Sequence, residues 1–294
     1  GAIAATAAQG TPAATPAGDT LTVTTSLGTY DIPANPQRVV AIDARIDLEI
    51  ALVLGLPVVG TSLRAPNPWV PAPEDITIID GPIELEQVAA LQPDLIICAD
   101  EDDEWWPTTA LQRFAPVLPT SFLTYWKEDL VNVAGWMQRT GEMEDGFAEY
   151  DATIAATTTA YSDTIAATQV IYMQYIPDTA TFSINTEGRL QPQVLNDLGG
   201  TLLGGTLPYT NEAEVSLERL GADFGEVDGI LLQDGDGEML AALSEIAIWN
   251  ALPAVQKGNI VTSNGNINYG QIYTAREIAR LWNELYAKVA ASAE

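Results

Sequence analysis

The chain has no histidine and only one cysteine, Cys98, in 294 residues. Without histidine it lacks the commonest metal ligand and the commonest general base, which argues against a zinc or manganese carrier. One cysteine permits no intrachain disulfide and does not identify the compartment. Because Cys98 lies within the apolar stretch LIIC, we expect a buried thiol that packs rather than reacts.

Positive charge is scarce. The chain has twelve Lys and Arg residues against forty Asp and Glu residues, and its formal net charge is −28. A nucleic-acid-binding protein needs a basic surface that displaces counterions from phosphates, so this class of partner is excluded. The same shortage argues against electrostatic docking on anionic lipid.

Long apolar runs are also missing. No stretch of about 18 apolar residues occurs, so the sequence predicts no membrane span. Residues 1–20 are rich in Ala, Thr, Pro and Gly, without a charged n-region or an apolar h-region. We expect a flexible leader or linker from which any signal peptide has been removed, as in a cell-surface lipoprotein or a periplasmic protein.

The remaining chain alternates predicted strands and helices. Apolar residues make up 47% of the sequence, and the length suits about two domains. After a predicted hairpin in LTVTTSLGTYDIP, the stretches RVVAID, PVVGTS and LIICAD are predicted strands separated by helices, which indicates a parallel α/β layer. The pattern resumes with QVIYMQYI and VDGILLQD and ends in a helix at TAREIARLWNELYAKVAAS.

A single long helix is predicted between the two alternating halves. From Glu142 to Thr168 apolar residues recur mostly at three- and four-residue steps, with no proline. Such a helix would be roughly 38 Å long, about the width of a domain. We therefore expect an N-terminal lobe at 21–140, a connecting helix at 141–167 and a C-terminal lobe at 168–294.

Several fragments occur in the order of a known family. They are PQRVVAID, LGLPVVGTS, IELEQVAALQPDLIICAD, VLNDLGG, VSLERLGAD, AIWNALPAVQKGNIV and the terminal helix. With these fragments in this order, the chain resembles the class III solute-binding proteins of ABC importers, which carry siderophores, haem or cobalamin. The resemblance extends from about Leu21 to the end of the sequence. The resemblance implies an α/β fold of two Rossmann-like lobes with mainly parallel sheets, joined by one long rigid helix, with a shallow cleft between the lobes.

The cleft residues follow from where the predicted strands end. Ligands of open α/β sheets bind outside the carboxyl ends of the strands. The candidate ligand-binding residues at these ends are Arg45, Arg64, Trp69, Trp105, Trp106, Tyr125, Trp126, Tyr175, Arg189 and Tyr269. Asn266 and Asn268 share the last of these segments.

These residue types suit a bulky metal chelate. A guanidinium is always charged and can grip hydroxamate, carboxylate or catecholate oxygens around ferric iron. The alternative for Arg45 and Arg64 is pairing with the nearby Asp43 or Asp47. Tryptophans supply flat apolar walls. Since the adjacent Trp105 and Trp106 cannot both face the same way, we expect one to pack and one to face the cleft.

Three other tryptophans, Trp136, Trp249 and Trp282, lie on predicted helices and are assigned to packing. The acidic run Glu101–Glu104 is interpreted as a solvated loop, with attraction of a cationic ligand group as an open alternative. Calcium binding is the more specific functional interpretation of this run, but its spacing fits no calcium-loop template. The spacing of DGDGE at 234–238 fits none either. No metal site of the protein itself is predicted.

Glu86 and Glu218 are assigned to permease docking by the resemblance. Each occupies a helix-start position that is equivalent in the two lobes, in LEQVAALQPD and in VSLERLGAD. In the family such glutamates pair with permease arginines, which steers and registers the two surfaces. The alternative is an exposed glutamate favoured by the helix dipole.

The expected function is that of the substrate-binding component of an iron-siderophore importer. The protein would act as a monomer, with no cofactor of its own, and would deliver a ferric siderophore, of hydroxamate or mixed type, to a permease dimer. Haem or cobalamin is the alternative cargo, and haem would need a tyrosine ligand from Tyr125, Tyr175, Tyr209 or Tyr269. An α/β enzyme is a distant alternative, because no GxGxxG or GxxxxGK motif and no nucleophile–base pair is present.

Overall fold

The computed structural model describes residues 19–122, 124–185, 188–203, 212–235 and 237–293. Most of the predicted leader, residues 1–18, and the candidate haem ligand Tyr209 lie outside these ranges. The described chain begins with the predicted hairpin, formed by β1 (Thr20–Thr25) and β2 (Gly28–Pro33) in antiparallel register.

The first lobe is built on a five-stranded sheet in which every neighbouring pair is parallel. Its spatial order is β5-β4-β3-β6-β7. The strands are β3 (Val39–Asp43), β4 (Val58–Ser62), β5 (Thr77–Ile79), β6 (Leu95–Ala99) and β7 (Val117–Thr120). The helices between them are α1 (Asp47–Val53), α2 (Leu85–Ala90) and α3 (Thr108–Leu111). Every residue of β3 and β6 is buried, as expected for inner strands of a parallel sheet.

Two consecutive helices leave the first lobe. They are α4 (Trp126–Met137) and α5 (Thr140–Ala167). With 28 residues α5 is about 42 Å long, which confirms the long helix between the lobes. Its backbone departs from helical values at Tyr161, where φ is −130° and ψ is 23°, an interruption that the apolar spacing did not predict.

The second lobe contains a mixed six-stranded sheet. Its strands are β8 (Gln169–Ile176), β9 (Thr181–Asn185), β10 (Thr201–Leu202), β11 (Glu212–Ser216), β12 (Gly229–Gln233) and β13 (Ile260–Ser263). β8, β10, β12 and β13 pair in parallel, whereas β9 is antiparallel to both β8 and β11. β11 therefore runs in the same direction as β8, and its end lies at the carboxyl edge of the sheet.

The helices of the second lobe cover this sheet and hold it to the first lobe. They are α6 (Leu190–Asp197), α7 (Leu220–Phe224) after a 3₁₀ turn at Leu217–Arg219, α8 (Glu238–Ser244), α9 (Ala247–Asn250), α10 (Pro253–Gln256) and α11 (Ile272–Ala291). Trp249 and Trp282 are fully buried and Trp136 packs against the core, which confirms their packing assignment. None of the helices within the described ranges is long and apolar enough to cross a membrane.

Candidate ligand site between the lobes

A small pocket of about 40 Å³ lies where the two lobes meet. The first lobe contributes the segment between β7 and α4, and the second lobe contributes the start of α6 and the loop after β13. The residues that line it include Phe122, Trp126, Asp129, Arg189, Tyr269 and Gln271. The pocket therefore joins segments that follow strands in both lobes, as the strand-end rule predicts.

Arg45 is tied to its own lobe and also reaches the second lobe. Its Nε and Nη2 donate to the two carboxylate oxygens of Asp43 at 2.9 and 2.6 Å, so the pairing left open by the sequence is present. Its guanidinium carbon lies 4.7 Å from the ring centroid of Tyr269. Burial acts to lower the pKa of Arg45, but the hydrogen bonds and charge of Asp43 outweigh burial and raise it.

Tyr269 is approached by an arginine from each lobe. The guanidinium carbon of Arg189 lies 4.6 Å from the same ring centroid as that of Arg45. Arg189 reaches the pocket as the N-terminal flanking residue of α6, and β9 before it runs antiparallel to β8. A guanidinium over an aromatic face is attracted by the ring quadrupole, so the Arg45 contact joins the two lobes at the cleft, and the Arg189 contact lies within the second lobe.

An edge-to-face row of aromatic rings extends from Tyr269 into the first lobe. Phe122 lies 5.7 Å from Tyr269 and 4.8 Å from Trp106, centroid to centroid. Trp106 is partly buried, whereas Trp105 is 39% exposed. The two adjacent tryptophans thus differ in exposure, and that one of them faces the cleft stays a prediction. Sequence reasoning missed Phe122, although it follows β7 in the same way that the chosen residues follow their strands.

Arg64 is the cation near the cleft that has no fixed partner. It is exposed, and within the described part of the chain it makes no hydrogen bond or ion pair. Partial burial, and next the positive charge of Arg45, lower the pKa of Arg64. Arg64 follows β4, the parallel neighbour of β3, so it lies at the same sheet edge as Arg45, and its guanidinium donors remain available to a ligand.

Tyr125 and Trp126 form a second contact between the lobes beside the pocket. The Tyr125 hydroxyl donates to Asp197 at 3.0 Å, and the Lys127 ammonium pairs with the same carboxylate at 2.9 Å. The backbone N–H of Trp126 donates to Gln193 at 3.0 Å. Trp126 is 4% exposed and lines the pocket, whereas Tyr125 is held outside it by Asp197.

Of the ten sequence-predicted ligand-binding residues, Trp126, Arg189 and Tyr269 line the pocket and the other seven do not. Tyr175 and Trp69 are engaged in other contacts. Tyr175 is buried against Phe182, because β8 continues into a hairpin with β9 beyond the parallel part of the sheet. Trp69 donates from Nε1 to Thr274 Oγ1 at 2.9 Å and packs against α11. Trp69 thus joins the lobes on the α5 and α11 side of the molecule.

The acidic run after β6 organises its own turn. Oδ1 of Asp103 accepts the backbone N–H groups of Trp105 and Trp106 at 2.8 and 2.9 Å. Asp102 accepts the backbone N–H and the hydroxyl of Thr109. Among the residues that the structure describes, no three His, Cys, Asp or Glu side chains form a group that could hold a metal ion.

The docking candidates Glu86 and Glu218 are both exposed at the starts of helices. Glu86 lies in the first turn of α2, which follows β5 and therefore starts at the carboxyl edge of the first sheet. Glu218 lies in the 3₁₀ turn after β11, at the carboxyl edge of the second sheet. One exposed carboxylate from each lobe is thus presented on the edge where the cleft opens.

Three carboxylates near the cleft, those of Asp47, Glu49 and Asp129, are buried, which the sequence did not predict. Asp47 accepts the backbone N–H of Asp43 and the hydroxyl of Thr120. Burial, and next the charge of Asp43, raise the pKa of Asp47 to about 7. The third of the set, Asp129 on α4, has a pKa raised by burial to about 6.

Glu49 of the first lobe caps the N-terminus of α11 in the second. It accepts the backbone N–H groups of Gln271, Tyr273 and Thr274 at 3.1, 2.8 and 2.9 Å, and also the Thr274 hydroxyl. Burial raises the pKa of Glu49 to about 7, against the lowering effect of these hydrogen bonds. The cap satisfies N–H groups that a helix start leaves unpaired, so it fixes the lobes to one another.

Stability is expected to fall as the pH rises from about 4 to about 7. Between the ordinary pKa of an unfolded carboxyl and the raised pKa values of Asp47 and Glu49, the folded state binds more protons than the unfolded state. Thermal melts at about pH 4.5 and about pH 8 measure the difference. Glu49→Gln should reduce it, because glutamine cannot ionise, whereas Glu74→Gln at an exposed position should leave it unchanged. Equal differences in both variants would contradict the assignment.

Comparison with known proteins gives one family and many similar folds. Residues 44–266 match the family model described as periplasmic binding protein. A periplasmic solute binding protein from Mycobacterium smegmatis superimposes with a TM-score of 0.76 at 17% identity, covering 92% of this chain and 98% of that one. Among curated protein sequences, none is similar enough to this chain to match.

Two further solved structures were determined with a bound iron complex. The siderophore-binding protein FhuD from Vibrio cholerae, bound to Fe³⁺-Desferal, has a TM-score of 0.69 at 21% identity and covers 86% of this chain and 99% of that one. The triscatecholate siderophore-binding protein FeuA from Bacillus subtilis, complexed with ferri-bacillibactin, has a TM-score of 0.70 at 18% identity, with coverage of 90% and 98%. At these identities the likeness establishes the fold.

Proposed function

The chain belongs to the periplasmic binding protein family, and from this premise we propose that it captures a ferric siderophore between its lobes for a membrane permease. The observation that carries the proposal is the approach of Arg45 and Arg189, one from each lobe, to the ring of Tyr269. In a chain with only twelve cationic residues, this placement concentrates guanidinium donors where a chelate's oxygens would lie. No catalytic step is required of such a protein.

The similar structures support this class of cargo without selecting its chemistry. One neighbour holds Fe³⁺-Desferal and another holds ferri-bacillibactin, which a triscatecholate siderophore forms. The charge of this chain favours a hydroxamate or mixed type. A tris-catecholate complex is highly anionic and would be repelled by a protein of net charge −28, whereas ferric hydroxamates are neutral or cationic.

Capture requires the cleft to widen. Pockets that hold a drug-sized ligand have volumes of roughly 300–1,000 Å³, and the pocket here has about 40 Å³. The chelate would therefore separate Arg45 from Tyr269 and take over the guanidinium contacts that now hold the ring. Because α5 connects the lobes and the Glu49 cap holds them together, we expect a small hinge motion. A large compaction in small-angle scattering on adding ligand would contradict this.

Delivery is assigned to Glu86 and Glu218, which would dock on positively charged permease residues. Such a partner implies an extracytoplasmic location, in agreement with the family. Haem stays a second candidate cargo for one reason, namely that Tyr269 lines the pocket and tyrosine is a known haem ligand.

Replacing Arg64 by alanine is expected to weaken ferric-siderophore binding roughly 10-fold, because one charge-assisted hydrogen bond to the chelate is lost. The melting temperature should not change, since Arg64 has no hydrogen bond or ion pair within the described part of the chain. Arg113→Ala is the matched control: it removes an exposed arginine that lies near the amino end of β7, away from the cleft. If Arg64→Ala and Arg113→Ala bind the ferric siderophore with equal affinity, Arg64 does not contribute to the site.

Tryptophan fluorescence during titration tests the proposal as a whole. The panel is ferrioxamine B, ferrichrome, a ferric catecholate, haem and cobalamin, and the seven tryptophans should report a bound chromophore by quenching. Saturable quenching by a ferric hydroxamate below micromolar concentration is the expected result. Saturable quenching by haem or cobalamin alone would mean that this molecule, and not a siderophore, is the cargo. A Soret band would identify haem. No saturation by any member would contradict the proposed function.

A further inference from the structure

We propose that the pocket between the lobes is a subsite for a short cationic arm of the ligand, with the carboxylate of Asp129 as its counter-ion. The proposal rests on the proposed function and narrows it, because it selects ferric siderophores that carry a free ammonium group on a side arm. The groups that would hold the arm are an unpaired buried carboxylate, a buried amide oxygen and three aromatic rings.

Asp129 is a buried acid without a cation. Its residue is 4% exposed, yet it lines the pocket. Both of its hydrogen bonds, from the Ser121 N–H at 3.2 Å and the Thr124 hydroxyl at 3.3 Å, go to Oδ2. Within the described part of the chain Oδ1 accepts no hydrogen bond and the carboxylate forms no ion pair. A carboxylate removed from water gains from a paired cation, so the pocket favours a positive group.

The nearby cations of the protein have other contacts, although Arg189 lines the same pocket as Asp129. Lys127, two residues away, pairs with Asp197. Arg45 is bonded to Asp43, and Arg189 lies over Tyr269. Burial raises the pKa of Asp129, and no cation acts to lower it. Among the described residues no cation pairs with Asp129, so the balancing positive charge can come from the ligand.

The rest of the pocket suits an ammonium group. Phe122, Trp126 and Tyr269 line it, and aromatic rings attract a desolvated cation. Gln271 also lines it, and the Oε1 atom of this residue is buried with no hydrogen-bond partner among the described residues. Asp129 and Gln271 thus offer two acceptors to a group that has only donors.

The size of the pocket selects an arm rather than a chelate. Its volume is about 40 Å³, which at roughly 10–15 Å³ per water-sized group holds about three such groups. A terminal aminoalkyl segment has that size. The iron-bearing body of the ligand would then lie next to this pocket, in the widened cleft where Arg45 separates from Tyr269, on the side of Arg64 and the aromatic row.

Two forms of one chelate test the proposal. Ferrioxamine B carries a free terminal ammonium, and its N-acetyl derivative has the same iron centre with a neutral amide instead. The wild-type protein is expected to bind ferrioxamine B about 10-fold more tightly than the acetylated form, as measured by tryptophan quenching. Asp129→Asn should abolish this preference, and Glu128→Gln, an equal charge change on the exposed side of the same helix, should keep it.

The outcomes separate the subsite from the proposed function. Equal affinity of the wild-type protein for both forms would overturn the subsite and leave siderophore binding intact, and this result needs no variant to fold. Retention of the preference in Asp129→Asn would also overturn it. Failure of the wild-type protein to bind either form or any other member of the panel would overturn the proposed function together with the subsite.

Discussion

Replacing Arg45 by alanine is expected to lower the free energy of unfolding by about 3–5 kcal/mol, because it leaves the buried carboxylate of Asp43 without its partner. The Asp43 side chain is fully buried and the Arg45 side chain is 11% exposed. The guanidinium supplies two hydrogen bonds to that carboxylate. Removing both guanidinium donors leaves the Asp43 carboxylate without a cation and without access to water.

A paired substitution separates the lost charge from the lost side chain. Urea denaturation followed by circular dichroism gives the free energy of unfolding of each variant. Asp43→Asn combined with Arg45→Met removes both charges and keeps much of the volume, so most of the stability should return. A loss below about 1 kcal/mol in Arg45→Ala would mean that the pair is solvated and contributes little. Arg45 would then be available to the ligand alone.

Replacing Glu86 and Glu218 together by glutamine is expected to abolish most iron uptake by the source cells while leaving ligand affinity unchanged. Each lobe presents one of these exposed carboxylates at the edge where the cleft opens. Loss of both charges removes the steering and registration of the protein on its permease. Uptake of radiolabelled ferric siderophore and fluorescence titration of the purified variant measure the two quantities.

The matched control for this pair is Glu74→Gln with Glu144→Gln, which removes two exposed carboxylates from other surfaces. Uptake with the control pair should equal that of the wild type. If the control reduces uptake as strongly, the effect comes from net charge rather than from docking. If the docking pair leaves uptake unchanged, the assignment of Glu86 and Glu218 is wrong.

The sequence predicted most of the fold because strand and helix signals alternate clearly in both halves. The strand-end rule located Arg45 and Trp106 correctly at one edge, since β3 and β6 are neighbours in a parallel sheet. It misplaced Tyr175, because the end of β8 pairs with the antiparallel β9 and the Tyr175 ring is buried against Phe182. An alternation of strand and helix signals does not reveal that β9 runs antiparallel to β8.

The buried carboxylates could not be predicted because their partners are distant in sequence. Glu49 caps a helix whose Thr274 lies 225 residues away, and nothing in DLEIALV distinguishes this acid from an exposed one. Asp129 likewise looks like an ordinary acid in the first turn of α4. Asp129 becomes part of a pocket only in the folded chain, where the start of α6 and the loop after β13 lie next to it.

The most direct test of the central claim is the position of iron in crystals grown with the ferric siderophore that binds best. Anomalous diffraction at the iron absorption edge locates the metal independently of any model of the ligand. We predict one iron peak between the lobes, on the side of Tyr269 that opens toward Arg64. An iron peak at another surface, with Arg45 and Arg189 still in contact with Tyr269, would contradict the claim that this cleft holds the cargo.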